Sequence, residues 1–272
     1  MIERKIPSTG ETVPVIGLGS WQTFDVSPSS NLEPLKQVLS AMSTAGGSVI
    51  DSSPMYGRSE EIIGVLTSND PIGKYFYATK VWTQGKQEGI KQMENSFRKI
   101  QRPVIDLMQI HNLVDWEIHL KTLRDWKEEG KIRYIGITHY TDSMHDQLVE
   151  IIKAEKIDFV QFNYSIAHRN AEKGLLPTAN EYGVATLINR PFGEGNLFRQ
   201  VKEKQLPAWA AEFNIKNWSQ FFLKFIISNP AVTCVIPATS DSSHASDNFE
   251  AGIEPLPNDS VRKKMIEWFK KL

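Results

Sequence analysis

Short apolar runs alternate with longer amphipathic stretches along most of the chain. Residues 15–18, 48–50, 75–79, 104–110, 132–137, 159–162, 185–188 and 232–236 read as strands. Runs this short, without an outward polar face, suit parallel strands covered on both sides. Residues 32–42, 60–66, 87–100, 117–129, 142–154, 175–181, 243–251 and 260–269 read as helices. In the third of these, Ile90, Met93, Phe97 and Ile100 recur at three- or four-residue spacing, which places them on one face. Ser59 is the expected N-cap of the second helix, and Gly130 the expected stop of the fourth. Before the first barrel strand, residues 5–7 and 12–14 flank the turn-rich stretch 8–11 and predict a hairpin. Eight strand–helix units in about 250 residues is the size of a closed barrel. The pattern predicts an α/β fold, a (β/α)8 TIM barrel with an N-terminal β-hairpin and a C-terminal helix, occupying residues 1–272 as a single domain. An open doubly wound sheet is the competing arrangement. Residues 192–213 are long for a strand-to-helix connection, so they either cover a site or hold another short helix.

Composition narrows the picture. The chain has 272 residues, 40% hydrophobic and 23% charged, enough apolar material for a sizeable core. Its single cysteine, Cys234, excludes an internal disulfide. Lys and Arg number 31 against 32 Asp and Glu, so no long-range field draws the chain to nucleic acid or an anionic membrane. No apolar run approaches the roughly 20 residues that span a bilayer. The N-terminal residues lack the apolar segment of a secretory signal. A cytoplasmic monomer without a membrane or nucleic-acid partner is the expectation.

In such a barrel the carboxyl ends of the strands build the site. Four residues there form a coherent chemical set: Asp51, Tyr56, Lys80 and His111. A free tyrosine has a pKa of about 10 and is a poor proton donor near neutrality. A neighbouring ammonium favours phenolate, so Lys80 is expected to lower the Tyr56 pKa, with Asp51 holding Lys80. His111 could donate a hydrogen bond to a substrate oxygen or relay a proton. A metal bound between Asp51 and His111 fits poorly, because Lys80 lies between them in strand order. Gly17-Leu18-Gly19 lacks the third glycine of a dinucleotide fingerprint.

The segment Asp51-Ser52-Ser53-Pro54-Met55-Tyr56-Gly57, the pair Thr79-Lys80 and the triplet Gln109-Ile110-His111 resemble the aldo/keto reductase superfamily. Ile16-Gly17-Leu18-Gly19, residues 130–137 and Ile236-Pro237-Ala238-Thr239-Ser240 are similar in kind, so the resemblance covers essentially the whole chain. It implies a (β/α)8 barrel and hydride transfer from NADPH to a small-molecule aldehyde or ketone. Tyr56 would be the general acid, Asp51 and Lys80 would tune it, and His111 would orient the carbonyl. Thr138, His139 and Gln161 would lie around the nicotinamide amide, with Gly19 and Trp21 beside the cofactor.

The chain departs from the family pattern at three places. Thr138-His139 replaces the usual Ser-Asn. At the strand 7 end, Asn189-Arg190-Pro191-Phe192 offers no ordinary aromatic platform, so either Arg190 or Phe192 would stack on the nicotinamide. Around the 2′-phosphate, Pro237, Thr239, Ser240, His244 and Asn248 stand without the customary lysine and arginine, and Asp241 would repel a phosphate. NADPH is the expected cofactor, with NADH or dual use as the alternative. Trp21, Phe24, Trp82 and Asn112 are the expected substrate-pocket walls, and a comparatively open pocket is predicted. The competing functions are an NAD-dependent alcohol or sugar dehydrogenase and a slow-turnover NADPH-binding regulatory protein.

Overall fold

A computed structural model describes residues 1–272. The hairpin consists of β1 (Glu3–Lys5) and β2 (Thr12–Pro14), paired antiparallel. Eight parallel strands follow in sequence order: β3 (Leu18–Gly19), β4 (Val49–Asp51), β5 (Phe76–Val81), β6 (Ile105–His111), β7 (Ile132–Thr138), β8 (Phe159–Asn163), β9 (Ala185–Asn189) and β10 (Cys234–Val235). The first and last are joined by parallel bridges between Ile16 and Val235 and between Gly19 and Ala238. Hydrogen bonds from Gly17 N–H to Val235 O and from Gly19 N–H to Pro237 O complete the closure at 2.9 and 3.0 Å. An added Cβ on Gly19 would lie 2.8 Å from Ile236 O, so this seam has no room for a side chain. The eight-stranded barrel predicted from the sequence is therefore present, and the open sheet is excluded.

Two-residue periodicity explains the barrel interior. Val49, Ala78, Leu107, Phe159, Leu187 and Cys234 face inward and form the lower apolar layer. Ile6 and Val13 from the hairpin close its floor. Two residues further along the strands the inward positions turn polar: Asp51, Lys80, Gln109 and Gln161. Another step gives His111 and Asn163, with Asn189 beside them. Gly136 belongs to this pattern, because a Cβ there would meet the Gln109 side chain at 2.9 Å. The larger core lies between barrel and helices.

The surrounding helices are α1 (Glu33–Thr44), α2 (Ser59–Thr67), α3 (Lys86–Ile100), α4 (Trp116–Glu128), α5 (His145–Ala154), α6 (Leu175–Glu181), α7 (Asn196–Gln200), α8 (Trp218–Ile227), α9 (Ser242–Glu250) and α10 (Asp259–Phe269). Gly130 closes α4 as expected: its φ is +73°, its N–H reaches Lys127 O, and Lys131 N–H reaches Trp126 O. Other expectations need correction. Ser59 does not cap α2; it is the first helical residue, and its hydroxyl is bonded to Ser52 at 3.0 Å. Residues 142–144 form a 3-10 turn before α5 rather than its first α-helical turn. The long connection 192–213 holds α7 and a 3-10 segment, Ala208–Phe213. Helix α8 has no counterpart among the elements read from periodicity. Residues 220–227 are all buried, Gln220 and Lys224 included, and the segment is apolar apart from those two and Ser219. No helix is long and apolar enough to cross a membrane.

Candidate active site

The polar layer at the carboxyl ends of the strands opens into a cleft of about 540 Å³. Its base is an ion pair. Lys80 Nζ lies 2.6 Å from Asp51 Oδ2 and donates to Ser52 O at 2.7 Å, with the lysine side chain wholly buried. The other Asp51 oxygen accepts from the side-chain amides of Gln109 and Gln161, both at 2.9 Å. Gln161 also donates to Gln109 Oε1 at 3.0 Å. Taking charges from water costs several kcal/mol per ion, so a buried pair persists only where close approach and extra hydrogen bonds offset that cost. This pair has both.

Tyr56 rests above the pair. Its ring centroid is 5.1 Å from Lys80 Nζ. The turn that presents it needs the positive φ of Gly57, whose missing Cβ also makes room for the Asp25 carboxylate; Asp25 accepts the Arg58 N–H at 2.9 Å. Burial pushes the Tyr56 phenol above its ordinary pKa; Lys80 pulls it down and Asp51 pushes it up. The net direction corrects the expected lowering, because loss of solvent outweighs the ammonium in the free protein. For Lys80, burial acts downward, but attraction to Asp51 and Tyr56 and the hydrogen bond to Asp51 hold its pKa above the ordinary lysine value.

His111 meets Tyr56 edge to face at 5.8 Å between ring centroids. Burial lowers its pKa to about 3, aided by Lys80 and His139. The imidazole is therefore neutral near neutrality. Its Nδ1 lies 3.0 Å from Ser53 Oγ, which itself accepts the Met55 N–H at 3.2 Å. Nδ1 is the only acceptor within reach of the Ser53 hydroxyl hydrogen, so the hydroxyl donates to Nδ1. The resulting tautomer carries its proton on Nε2, available to a substrate oxygen.

The cleft brings together Gly19, Trp21, Asp51, Tyr56, His111, Asn112, Thr138, Gln161, Asn189, Arg190, Pro191 and Phe192. Lys80 lies beneath it. Thr138, Gln161 and Asn189 present hydroxyl and amide groups from three neighbouring strand ends, a donor and acceptor set that fits a carboxamide. Several other predicted residues stand elsewhere. Phe24 is fully buried in the core, because its N–H bonds back to Ser20 O and the turn directs the ring inward. Trp82 lies outside the cleft lining, with 6.4 Å between its ring centroid and that of His111. His139 is also outside the lining: its ring stacks on Tyr140 at 5.3 Å and its Nδ1 faces the Thr141 hydroxyl at 3.2 Å. Arg190 does not supply a free platform, since its guanidinium lies over Tyr140 and pairs with Glu194 at 2.5 Å. Phe192 packs on Phe198 at 4.8 Å.

Pro237, Thr239, Ser240, His244 and Asn248 do not line this cleft. Pro237 serves the barrel seam through its carbonyl. Thr239 turns toward the Asp241 backbone, and Asn248 is buried. Asp241 caps α9: its carboxylate accepts Ser243 N–H at 2.8 Å and His244 N–H at 3.0 Å. Those hydrogen bonds, first among them the Ser243 hydroxyl, lower the Asp241 pKa to about 2.

Sequence patterns assigned no site role to Gln109, Ser53, Tyr140, Met55 or Phe198, although the first two and Met55 stand in the motifs quoted above. Gln109 and Ser53 act through partners 58 residues away, so local pattern carries no trace of their contacts. Tyr140 could have been found, because it directly follows the strand-end pair Thr138-His139. Phe198 comes from α7, inside the long connection singled out as possible cover for a site.

A parallel barrel with a buried ion pair, a tyrosine and a neutral histidine gathered in a cleft at its strand ends has the build of a barrel enzyme. The sequence profile described as "Aldo/keto reductase family" matches residues 15–264. The chain belongs to the aldo/keto reductase family, a family of oxidoreductases. It is 26% identical over 216 residues to "Aldo-keto reductase YhdN" of Bacillus subtilis (strain 168), covering 73% of this chain. The match spans 64% of that relative, less than two thirds of its length. It is 26% identical over 242 residues to "NADH-specific methylglyoxal reductase" of Escherichia coli (strain K12), covering 76% of this chain and 73% of that protein. Its fold is similar to that of an aldo-keto reductase from Klebsiella pneumoniae solved in complex with NADPH, with a TM-score of 0.81, 22% identity and coverage of 99% and 96% of the two chains.

The neutral His111 has a consequence for stability. Its folded pKa lies below the unfolded value of about 6.5, so the unfolded chain binds the extra proton as pH falls. The contribution of this site to stability is therefore complete above about pH 6.5 and declines toward pH 3. His111→Gln should lose less stability than the parent between pH 6.5 and 4, measured by urea unfolding. Parallel stability curves would contradict the neutral assignment.

Proposed function

We propose that the protein reduces an aldehyde or ketone to an alcohol with a nicotinamide dinucleotide, NADPH being the first choice, and that Tyr56 is the general acid. The observation that carries this reading is Tyr56 placed between His111 and the buried Asp51–Lys80 pair, with its ring in the open cleft. The reduced nicotinamide, when bound, supplies hydride to the carbonyl carbon. Thr138, Gln161 and Asn189 are the residues that would hold its carboxamide.

His111 orients the substrate by donating Nε2–H to the carbonyl oxygen. As that oxygen gains negative charge it becomes more basic than phenolate, and Tyr56 gives it the phenolic proton. A phenol kept protonated by burial is suited to this role, because it retains its proton until charge develops on the substrate. Lys80, itself kept charged by Asp51, then stabilises the phenolate left behind. Gln109 and Gln161 fix the Asp51 carboxylate and so the direction of that field. Carbonyl-dependent cofactor oxidation should fall at least about 100-fold in Tyr56→Phe, with cofactor affinity little changed. Unchanged turnover would remove Tyr56 from the mechanism.

Asp241 favours a second reading, in which NADH is used as well or instead. The carboxylate occupies the amide groups at the start of α9, where the family resemblance puts the 2′-phosphate. An anion already held there opposes another. Asp241→Asn keeps a capping side chain and removes the charge. In a fluorescence titration this variant should gain affinity for NADPH several-fold while that for NADH stays the same. An unaltered ratio would show that Asp241 does not select the cofactor.

A further inference from the structure

The cleft lining carries one lysine or arginine, and its partner there is one that a ligand can replace. Of the charged residues on the lining, Asp51 is matched by Lys80 beneath it, which leaves Arg190 and Glu194. These two pair at 2.5 Å, and their side chains are 33% and 42% exposed. An ion pair this open to water contributes little to folding, so exchanging its anion for another costs little. The Arg190 guanidinium has five N–H groups. Its two contacts, Tyr140 O and the Glu194 carboxylate, leave some of them unused.

The guanidinium is held in place rather than left to a flexible chain. Arg190 adopts a left-handed φ of +51°, an arrangement that costs energy in a non-glycine residue and persists where surrounding contacts enforce it. Those contacts come from the end of β7, two strands away in the sheet. Arg190 Nη1 donates to Tyr140 O at 3.2 Å, and the guanidinium lies 5.1 Å from the centre of the Tyr140 ring, which itself stacks on His139. Asn189 makes the same crossing, with Nδ2 donating to His139 O at 3.4 Å. Arg190 therefore leans away from β10 and α9 and toward the strand ends beside His111. Thr138 of β7 pairs directly with His111 of β6, one strand spacing or about 4.8 Å away, and Tyr140 follows Thr138 by two residues. A planar cation held over an aromatic ring suits a carboxylate, which it can meet with two parallel N–H groups, and its ordering cost has already been met.

We propose that Arg190 is a specificity-determining residue that recognises the carboxylate of an oxo-acid substrate, and that Glu194 is a built-in competitor which occupies the arginine until such a substrate displaces it. The proposal rests on the carbonyl-reductase reading for its reaction, but the anion site is separable from the chemistry. Arg190, His111 and Tyr56 line one cleft, so a substrate with its carbonyl at the last two can place a carboxylate at the first. A neutral carbonyl leaves the Arg190–Glu194 pair closed. The cofactor pyrophosphate is the other anion with a claim on this arginine. The lean toward β7 favours the substrate, because the family resemblance puts the 2′-phosphate on the opposite side, at the start of α9.

The test compares 4-oxobutanoate with its neutral methyl ester in the full-length protein, wild type and Arg190→Gln, Arg190→Lys and Glu194→Gln. The two compounds share the aldehyde and the carbon chain and differ in charge. Arg190→Gln should lower the kcat/KM ratio of acid to ester at least about tenfold, mainly through KM. Arg190→Lys should recover part of that loss, because the charge returns without the planar fork. Glu194→Gln should raise the ratio, since the competing carboxylate is gone. Damaged folding does not move the two variants in opposite directions. An unchanged ratio in Arg190→Gln, or a lowered one in Glu194→Gln, overturns the proposal. Fluorescence titration with NADPH separates the two anions. Weakened cofactor binding in Arg190→Gln, with acid and ester impaired equally, assigns Arg190 to the dinucleotide and overturns the proposal. Calorimetric binding of 4-hydroxybutanoate gives a readout without turnover. Weaker binding in Arg190→Gln and tighter binding in Glu194→Gln support the anion site even if the wild type reduces neither aldehyde, a result that would overturn only the proposed reaction. Equal binding in all variants, or none in any, overturns the anion site.

Discussion

The structure of the site depends on a lysine that never meets solvent. An ammonium at the centre of a barrel is tolerable only with a counter-ion in contact and its hydrogen bonds filled, and Asp51 and Ser52 meet those needs. Asp51 must in turn be held, so Gln109 and Gln161 reach its second oxygen across the barrel. Gly136 leaves the space through which Gln109 passes. An apolar filling of the same volume would serve folding at least as well. The polar layer makes physical sense as a device that fixes positive charge beneath Tyr56.

That arrangement was legible in part because the barrel strands stand out as short apolar runs between amphipathic stretches. Asp51, Lys80 and His111 each end a short apolar run, so their inward placement follows once the strands are known. Tyr56 was legible from the segment Asp51–Gly57 that carries the family resemblance. What escaped the sequence was whatever depended on distant partners or lacked periodicity. Helix α8 is buried from residue 220 to 227, and only Gln220 and Lys224 break that apolar run. Phe24 follows a strand and could equally have faced the cleft; a turn closed by Ser20 sends it into the core. The sign of the Tyr56 shift also needed the structure, because the lysine's attraction was visible in the strand order and the cost of burial was not.

The cleft wall formed by the later strands has been rebuilt from different materials. Where an aromatic platform would suit a flat ring, Arg190 is engaged by Tyr140 and Glu194. His139 stacks on the same Tyr140 ring at a 5° interplanar angle. These residues give the wall rigidity through stacking and ion pairing, while Thr138, Gln161 and Asn189 retain polar groups at the cleft. The chemistry-bearing layer and the recognition-bearing loops are thus separate: the former is fixed inside the barrel, and the latter vary around its mouth.

Lys80 favours the ionised form of Tyr56 against the effect of burial. Ultraviolet difference titration of phenolate, with Tyr56→Phe as the blank, measures this without turnover. The phenol should titrate above its ordinary value in the parent protein and higher still in Lys80→Met. A Tyr56 titration that is unmoved, or moved downward, by Lys80→Met would show that Lys80 does not favour phenolate there.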